Sequence, residues 1–234
     1  MKVISHRGAA SLAPENTLPS FTAALALPID GVETDIQQTK DGKLVLFHDN
    51  TLERTTGAAG TIQDKTWDEL QALDAGTWFD PKYAGTRIPL LTDILDRFGT
   101  KTSWDLEIKQ PHIEDIVVKT VEPYKLFPNI TFTSFDFITI SDTKRKYPFL
   151  TTGFLTDDFS EEMIAKVKAH NIDHFCPKAS LINKEIVDKL RSAGFYVRAW
   201  GVKNPDIMKQ AIEAGVDGMT VDFPQLLLQE LGRR

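Results

Sequence analysis

Short strand-like runs and helical runs alternate along most of the sequence, and this alternation limits the fold. The strand-like runs are rich in β-branched and aromatic residues, and the segments between them carry apolar residues at helical spacing. Eight predicted strands begin near Lys2, Val32, Ser103, Ile130, Leu150, His174, Tyr196 and Gly218. Eight strand–helix units in 234 residues predict an α/β protein with a (β/α)8 TIM barrel. A doubly wound open sheet is the alternative, but no G-x-G-x-x-G motif follows the first strand.

One segment, residues 51–89, breaks the alternation. It contains a Gly- and Thr-rich stretch, a short predicted helix over 67–73, and an aromatic stretch with Gly and Pro. A long loop inside a compact chain is often a lid or a binding loop. We therefore predict a single domain over 1–234, with 51–89 as a small insertion after the second strand. Further along, a longer helix is predicted over 113–125.

The charge balance and the cysteine count limit the expected partners and compartment. The formal net charge of −6 argues against a broad cationic face for nucleic acid or anionic membranes. The sequence shows no apolar leader and no run near the roughly 20 apolar residues of a membrane helix, so we expect no stable membrane insertion. The single cysteine, Cys176, excludes an intramolecular disulfide and fits a reducing compartment. We predict a cytoplasmic protein with a small-molecule substrate, and both a monomer and a homodimer stay open.

The stretch from Asp30 to Asp49 places two acids, Glu33 and Asp35, inside a strand-like run. Positions two apart project from the same face of a strand. Because the apolar neighbours are expected to face the helix layer, the acids point into the barrel. Two carboxylates side by side repel each other unless a cation lies between them, and hard divalent cations favour oxygen ligands. His48 follows the next apolar run, so a titratable imidazole is expected close to the acids.

Chemistry in such a barrel lies at the C-terminal ends of the strands, where several polar side chains are expected. Glu107 and Lys109 end the third strand and, being two apart, share one face. The other residues predicted at strand ends are His6, Arg7, Ser134, Phe135, Trp200 and Asp222. Taken singly, each has an ordinary structural explanation: a lone histidine is usually structural or solvated, Glu107 and Lys109 fit a simple ion pair equally well, and aromatic residues usually pack. Their combination favours a functional site.

The set of predicted site groups fits the cleavage of a phosphodiester. It consists of three carboxylates, two imidazoles, one guanidinium and one ammonium. Three oxygen ligands suit one divalent cation, Mg²⁺ or Ca²⁺, which can polarise a phosphoryl oxygen. Arg7 can hold phosphate oxygens with its planar fork, and Lys109 adds a point charge. Of two histidines, one can take a proton from the nucleophile and the other can give one to the leaving alkoxide. The sequence contains neither the G-x-S-x-G motif of acyl transfer nor the H-E-x-x-H motif of zinc proteases.

Several motifs of the sequence resemble those of the glycerophosphodiester phosphodiesterase family. They are HRGAASLAPENTLPSF, DGVETDIQQTKDGKLVLFHDNTLERTTGAAGTI, DLEIK, TFTSF, VRAWGV and AGVDGMTVDFP, and they extend over nearly the whole chain. The resemblance implies a TIM barrel of the phospholipase-C-like phosphodiesterase superfamily, with a small insertion after the second strand. It also implies metal-dependent hydrolysis of glycerophosphodiesters to an alcohol and sn-glycerol 3-phosphate.

Carried over motif by motif, the resemblance also implies roles for individual residues. The implied metal ligands are Glu33, Asp35 and Glu107, and the implied catalytic pair is His6 as base and His48 as acid. The implied substrate and phosphate contacts are Arg7, Lys109, Trp200 and Phe135, with Glu15 of the PENT motif in a supporting role. The nucleophile is then the glycerol 2-hydroxyl, giving a cyclic phosphate that water opens, and direct attack by water is the alternative.

Two stretches depart from the family's usual form, and other functions stay open. The extra Lys203 departs from the family's form close to Trp200, and the sequence around Asp222 leaves the role of Asp222 unassigned. A metal-dependent barrel lyase or aldolase would explain the acids and Lys109 but gives the two histidines no joint role. A non-catalytic phosphate-binding module would not need the histidines. A lysophospholipase D-like activity on lipid substrates would use the aromatic insertion as a channel.

Overall fold

Eight parallel strands form a closed barrel in the computed structural model, which describes residues 1–233. The strands are β1 (Lys2–His6), β2 (Gly31–Gln38), β3 (Leu44–Leu46), β4 (Ser103–Ile108), β5 (Ile130–Ser134), β6 (Thr151–Thr156), β7 (His174–Pro177), β8 (Tyr196–Val202) and β9 (Gly218–Val221). β1 pairs in parallel with both β2 and β9, which closes the barrel, and β3 adds an antiparallel pair to the end of β2. The predicted (β/α)8 barrel is confirmed, and each predicted strand begins within one residue of an observed one.

A helix follows each barrel strand and covers the outside of the barrel. The α-helices are α1 (Leu18–Leu25), α2 (Glu53–Thr56), α3 (Trp67–Leu70), α4 (Leu91–Phe98), α5 (Glu114–Val121), α6 (Phe137–Lys146), α7 (Glu161–Ala169), α8 (Lys184–Ser192), α9 (Pro205–Ala214) and α10 (Pro224–Glu230). The helix predicted over 113–125 is wrong at its end. A tighter 3-10 turn, Glu122–Tyr124, follows α5, because Pro123 has no backbone N–H to continue the α-helical ladder. Within residues 1–233, no helix has the length and apolar character needed to cross a membrane.

Side-chain caps fix where the outer helices begin. Asp136, Ser160, Asn183 and Asn204 precede α6, α7, α8 and α9, and each side chain accepts a hydrogen bond from a backbone N–H of the first turn. Short oxygen-bearing side chains satisfy N–H groups that have no partner inside the helix. α6, α7, α8 and α9 therefore start shortly after their strands, whereas longer connections follow β1 and β3.

Residues 51–89 form that long connection, and they bring a hydrophobic cluster of their own. α2, α3 and two 3-10 turns lie in this segment. The cluster under it consists of Val45, Phe47, Leu52, Ile62, Leu70, Ala75 and Ile88, all buried. α3 ends at Leu70, so the helix predicted to reach residue 73 is shorter than expected. The organisation as one domain with an insertion stays a prediction.

The main core lies between the barrel strands and the outer helices. Trp104 of β4 is fully buried there, and its ring meets Phe21 of α1 edge-on, with 5.6 Å between ring centroids. Inside the barrel the lining is polar. Arg198 of β8 and Asp105 of β4 form a buried ion pair with 3.0 Å between Nε and Oδ2.

Replacing Trp104 with alanine is expected to lower the free energy of unfolding by about 3–5 kcal/mol, because the cavity left among rigid strands and α1 cannot collapse. Urea unfolding followed by fluorescence and circular dichroism measures the change. Ile138→Ala is the matched control, since Ile138 is 65% exposed and its truncation leaves no cavity. Equal losses for the two variants would contradict the packing described here.

Candidate active site

The C-terminal ends of the barrel strands surround a cavity of about 600 Å³. Sequence-predicted site residues that line it are His6, Arg7, Glu15, Glu33, His48, Glu107, Phe135 and Trp200. Asp35 and Lys109 contact this set directly, since Lys109 Nζ lies 2.8 Å from Glu107 Oε1 and 3.4 Å from Asp35 Oδ1. The structure thus brings every predicted site residue to one end of the barrel.

Three carboxylates, those of Glu33, Asp35 and Glu107, form the centre of the site. Each offers an oxygen within 4.8 Å of the others, and all three residues are buried. Strand geometry produces this cluster, because Asp35 of β2 is in register with Glu107 of β4 and Glu33 lies two residues before Asp35. Glu33 is in turn in register with His6 of β1.

The shared burial and charge shift the pKa values of the three acids in different directions. Burial, and then the charges of Asp35 and Glu107, raise the pKa of Glu33 well above its ordinary value. Burial, and then the charge of Asp35, also raise the pKa of Glu107. Burial opposes ionisation of Asp35, but the charges of Arg7 and Lys109 outweigh it and lower its pKa. Asp35 is therefore the carboxylate that stays charged most readily.

The donor set fits a hard divalent cation. Among the described residues, Glu33 Oε1 and Asp35 Oδ1 are buried and accept no hydrogen bond. Buried carboxylate oxygens are rarely left without a partner, and three clustered carboxylates are the ligands that Mg²⁺ and Ca²⁺ prefer. Glu33, Asp35 and Glu107 are thus the residues of this site that could hold such an ion.

Arg7 and Asn16 support the acids through unusual backbone conformations. Both residues have a positive φ, 53° and 54°. The backbone N–H of Arg7 donates to Glu33 at 3.1 Å, and its Nε lies 3.4 Å from Asp35. Asn16 Nδ2 donates to Asp35 Oδ2 at 2.8 Å, while its Oδ1 accepts from Thr34. Thr17, the next residue, takes the N-cap position of α1, and Asn16 is buried against the acid cluster.

Each of the two histidines of the site has an aspartate partner on Nδ1. His6 Nδ1 lies 2.5 Å from Asp222 Oδ1, and His48 Nδ1 lies 2.7 Å from Asp49 Oδ1. A carboxylate there favours the proton on Nδ1, which leaves Nε2 as the nitrogen that can exchange a proton. His6 Nε2 is 3.7 Å from Glu33 Oε2. Both imidazoles line the cavity.

Sequence reasoning missed three residues of the site: Asn16, Asp49 and Arg54. Asp222 was predicted at a strand end but received no role, and Asp49 is the residue after His48. The acid next to a histidine was the available signal for Asp49. Arg54 lies in the segment 51–89, and nothing in its local pattern indicates that it reaches Glu15.

Aromatic side chains form one wall of the cavity. The rings of Phe135 and Trp200 meet edge-on with 4.7 Å between centroids, and Trp200 Nε1 donates to the Thr156 carbonyl at 3.4 Å. Phe135 is 46% exposed and Trp78 is 40% exposed, and both line the cavity. These rings therefore present apolar surface beside the charged centre.

The fold and the position of the polar residues define the class: a (β/α)8-barrel enzyme with its site at the C-terminal ends of the strands. A model of the glycerophosphoryl diester phosphodiesterase family matches residues 6–226. A glycerophosphodiester phosphodiesterase of Caldanaerobacter subterraneus subsp. tengcongensis is 35% identical over 235 residues, covering 97% of this chain and 96% of the relative. A putative glycerophosphodiester phosphodiesterase of Bacillus subtilis is 32% identical over 237 residues and covers 98% of both chains.

Solved structures agree with these relatives. An Oleispira antarctica phosphodiesterase, in complex with the product sn-glycerol-3-phosphate, superimposes with a TM-score of 0.88 at 26% identity, covering 99% of this chain and 97% of that one. A putative glycerophosphoryl diester phosphodiesterase of Silicibacter pomeroyi gives a TM-score of 0.89 at 27% identity, covering 100% and 94%. The chain belongs to the glycerophosphodiester phosphodiesterase family and is a phosphoric diester hydrolase.

The raised pKa values predict how the stability of the metal-free protein depends on pH. Between the ordinary glutamate pKa of 4.5 and the raised folded values, the folded state holds protons that the unfolded state has lost. The free energy of unfolding therefore falls as pH rises through this window, by up to about 1.4 kcal/mol per pH unit for each proton. Asp35 acts in the opposite direction, but only below its ordinary pKa of 3.8.

Urea unfolding at a series of pH values in the presence of chelator measures this slope. Glu33→Gln removes one raised pKa and part of the repulsion on Glu107, so its slope is expected to be smaller than that of the unsubstituted protein. Glu213→Gln, an exposed position on α9, is the matched control and keeps the original slope. Identical slopes for Glu33→Gln and the unsubstituted protein would contradict the electrostatic description of the cluster.

Proposed function

We propose that this protein hydrolyses glycerophosphodiesters to an alcohol and sn-glycerol 3-phosphate, using one divalent cation and two histidines. The observation that carries the proposal is a cavity lined by Glu33, Glu107, two imidazoles and the cation Arg7, with Asp35 clustered against the two glutamates. Family membership supports the reaction class. The product sn-glycerol-3-phosphate in the Oleispira antarctica relative supports the assignment of the product.

Glu33, Asp35 and Glu107 are proposed to hold the cation, and both Mg²⁺ and Ca²⁺ fit their oxygen ligands. When bound, the cation supplies Lewis-acid polarisation of a phosphoryl oxygen and lowers the pKa of a nearby hydroxyl. Arg7 and Lys109 flank these acids, with Lys109 Nζ 2.8 Å from Glu107. Their remaining N–H groups are proposed to bind phosphate oxygens.

His6 is proposed as the base and His48 as the acid of the first step. The glycerol 2-hydroxyl oxygen bonds to phosphorus as His6 Nε2 takes its proton, and the bond from phosphorus to the alcohol oxygen breaks. His48 donates a proton to that leaving oxygen. In the second step the roles reverse and water opens the cyclic phosphate. Asp222 and Asp49 hold the two imidazoles in place through their Nδ1 atoms. Direct attack by water, with the same two histidines, is the alternative route.

The remaining proposed contacts involve the glycerol part of the substrate and the support of Arg7. Phe135 and Trp200 are proposed to contact the glycerol carbons, since their rings line the cavity beside the acids. Glu15 is proposed to support Arg7, whose Nη1 donates to it at 2.8 Å.

A cytoplasmic location is proposed from the single cysteine. A homodimer stays a prediction.

Removing divalent cations is expected to abolish hydrolysis of glycerophosphocholine and glycerophosphoethanolamine, with recovery on addition of Mg²⁺ or Ca²⁺. The assay couples release of glycerol 3-phosphate to a dehydrogenase, with and without chelator. Glu107→Gln is expected to weaken cation affinity by more than the roughly 10–100-fold typical of changes outside the ligand set. Glu213→Gln serves again as the exposed control. Full activity after exhaustive cation removal would rule out the proposed role of the three acids.

His6→Ala and His48→Ala are each expected to lower kcat by about 10²–10⁴-fold, because each removes a positioned proton donor or acceptor. Steady-state kinetics at saturating cation measures the loss. His170→Ala is the control, since His170 lies at the end of α7 and is exposed. Near-normal turnover by His48→Ala would refute the two-histidine scheme, while leaving the metal proposal to the chelator experiment.

A further inference from the structure

Arg54, in α2 of the inserted segment, contacts two carboxylates of the site at once. It donates to Asp49 from Nε at 2.5 Å and from Nη2 at 2.9 Å. It also donates to Glu15 from Nη1 at 2.9 Å and from Nη2 at 2.7 Å. A planar guanidinium that binds a carboxylate through two donors fixes its orientation as well as its charge. Arg54 therefore holds Asp49 and Glu15 in a set relation to each other.

Each of these carboxylates holds a further side chain of the site. Asp49 Oδ1 lies 2.7 Å from His48 Nδ1, and Glu15 Oε1 accepts from Arg7 Nη1 at 2.8 Å. Asp49 thus connects Arg54 to His48, the proposed acid, and Glu15 connects Arg54 to Arg7, the proposed phosphate contact. The chain of contacts joins the segment after β1, the segment after β3 and the inserted segment.

We propose that Arg54 is a positioning residue for both halves of the site: through Asp49 it orients the imidazole of His48, and through Glu15 it orients the guanidinium of Arg7. The functional part of this inference rests on the proposed roles of His48 and Arg7. Arg54 itself is not expected to contact the reacting atoms.

A plain surface ion pair is the simpler explanation, and such pairs contribute little. The geometry here differs in two ways. The Arg54 side chain is 44% exposed, but those of Asp49 and Glu15 are only 22% and 11% exposed. One side-chain oxygen or nitrogen atom from each of Glu15, His48 and Asp49 lies within 4.8 Å of the other two. The two carboxylates would therefore repel each other without the guanidinium. Arg54 also lies over the ring of Trp78, 5.5 Å from its centroid, which holds its side chain against the cavity wall.

Kinetics of Arg54→Ala and Arg54→Lys with glycerophosphocholine test the proposal. Arg54→Ala is expected to lower kcat/KM by about 10–100-fold, the usual effect of losing an orienting partner. Lysine keeps the charge but cannot bind two carboxylates bidentately, so Arg54→Lys is expected to recover only part of the loss. Arg191→Ala is the matched control, because Arg191 is 46% exposed and binds Asp217 at 2.8 Å, away from the site. Its kcat/KM is expected to stay unchanged.

A double-mutant cycle separates positioning from general stabilisation. If Arg54 acts on turnover through Asp49, Arg54→Ala lowers kcat in the unsubstituted protein but changes it less than about 3-fold in an Asp49→Ala background. Equal losses of kcat in both backgrounds would overturn the half of the inference that runs through Asp49 to His48. Circular dichroism and melting temperature verify that each variant is folded, and Arg54→Lys takes the place of Arg54→Ala in the cycle if the alanine variant does not fold.

Nitrogen-15 NMR of the histidine rings gives a readout that needs no activity, with the His48 signal assigned from its absence in His48→Ala. We expect a single Nδ1–H tautomer for His48 in the unsubstituted protein and a mixture of tautomers in Arg54→Ala. An unchanged tautomer together with unchanged kcat overturns the role of Arg54. If the unsubstituted protein fails to hydrolyse any glycerophosphodiester, the proposed function fails, and the tautomer still decides whether Arg54 orients His48.

Discussion

Repulsion among three buried carboxylates is the constraint on which the rest of this site depends. Glu33, Asp35 and Glu107 lie within 4.8 Å of one another at the end of the barrel, where water cannot screen them fully. Arg7 and Lys109 offset part of this repulsion, because each forms an ion pair with Asp35. These two cations keep one carboxylate charged and leave Glu33 and Glu107 with raised pKa values. A divalent cation would complete the neutralisation. The same repulsion among the carboxylates therefore affects both the stability of the fold and the binding of a cation.

Charge is also layered along the barrel axis below this cluster. Asp105 lies two residues before Glu107 on the same face of β4 and pairs with the buried Arg198. The Arg198 guanidinium adds a positive charge under the acids, and burial of that pair requires both partners to be present. The polar interior thus holds an ion pair beside the three carboxylates, while apolar residues of the same strands face the helices.

Periodicity in the sequence predicts those parts of the molecule that local spacing determines. Strand starts agree within one residue, and the two-residue spacing of Glu33 with Asp35 and of Glu107 with Lys109 places each pair on one face. Asn16 could not be found this way, because an Asn before a helix reads as a cap and its contact with Asp35 depends on a positive φ. The contacts of Arg54 could not be predicted either. Its partners Glu15 and Asp49 lie 39 and 5 residues away, and local spacing does not show that they meet.

The pairing of His6 with Asp222 shows how the orientation of one imidazole depends on closure of the barrel. The two residues are 216 positions apart, and they meet because β1 pairs with β9. An imidazole without that carboxylate loses the partner that holds its proton on Nδ1, so the first histidine acquires its orientation only when the last strand is in place. His48 takes its aspartate from the next residue in the chain and needs no such closure. One imidazole is therefore oriented by global topology and the other by local sequence, and the arginine of the inserted segment links the local one to the closed barrel.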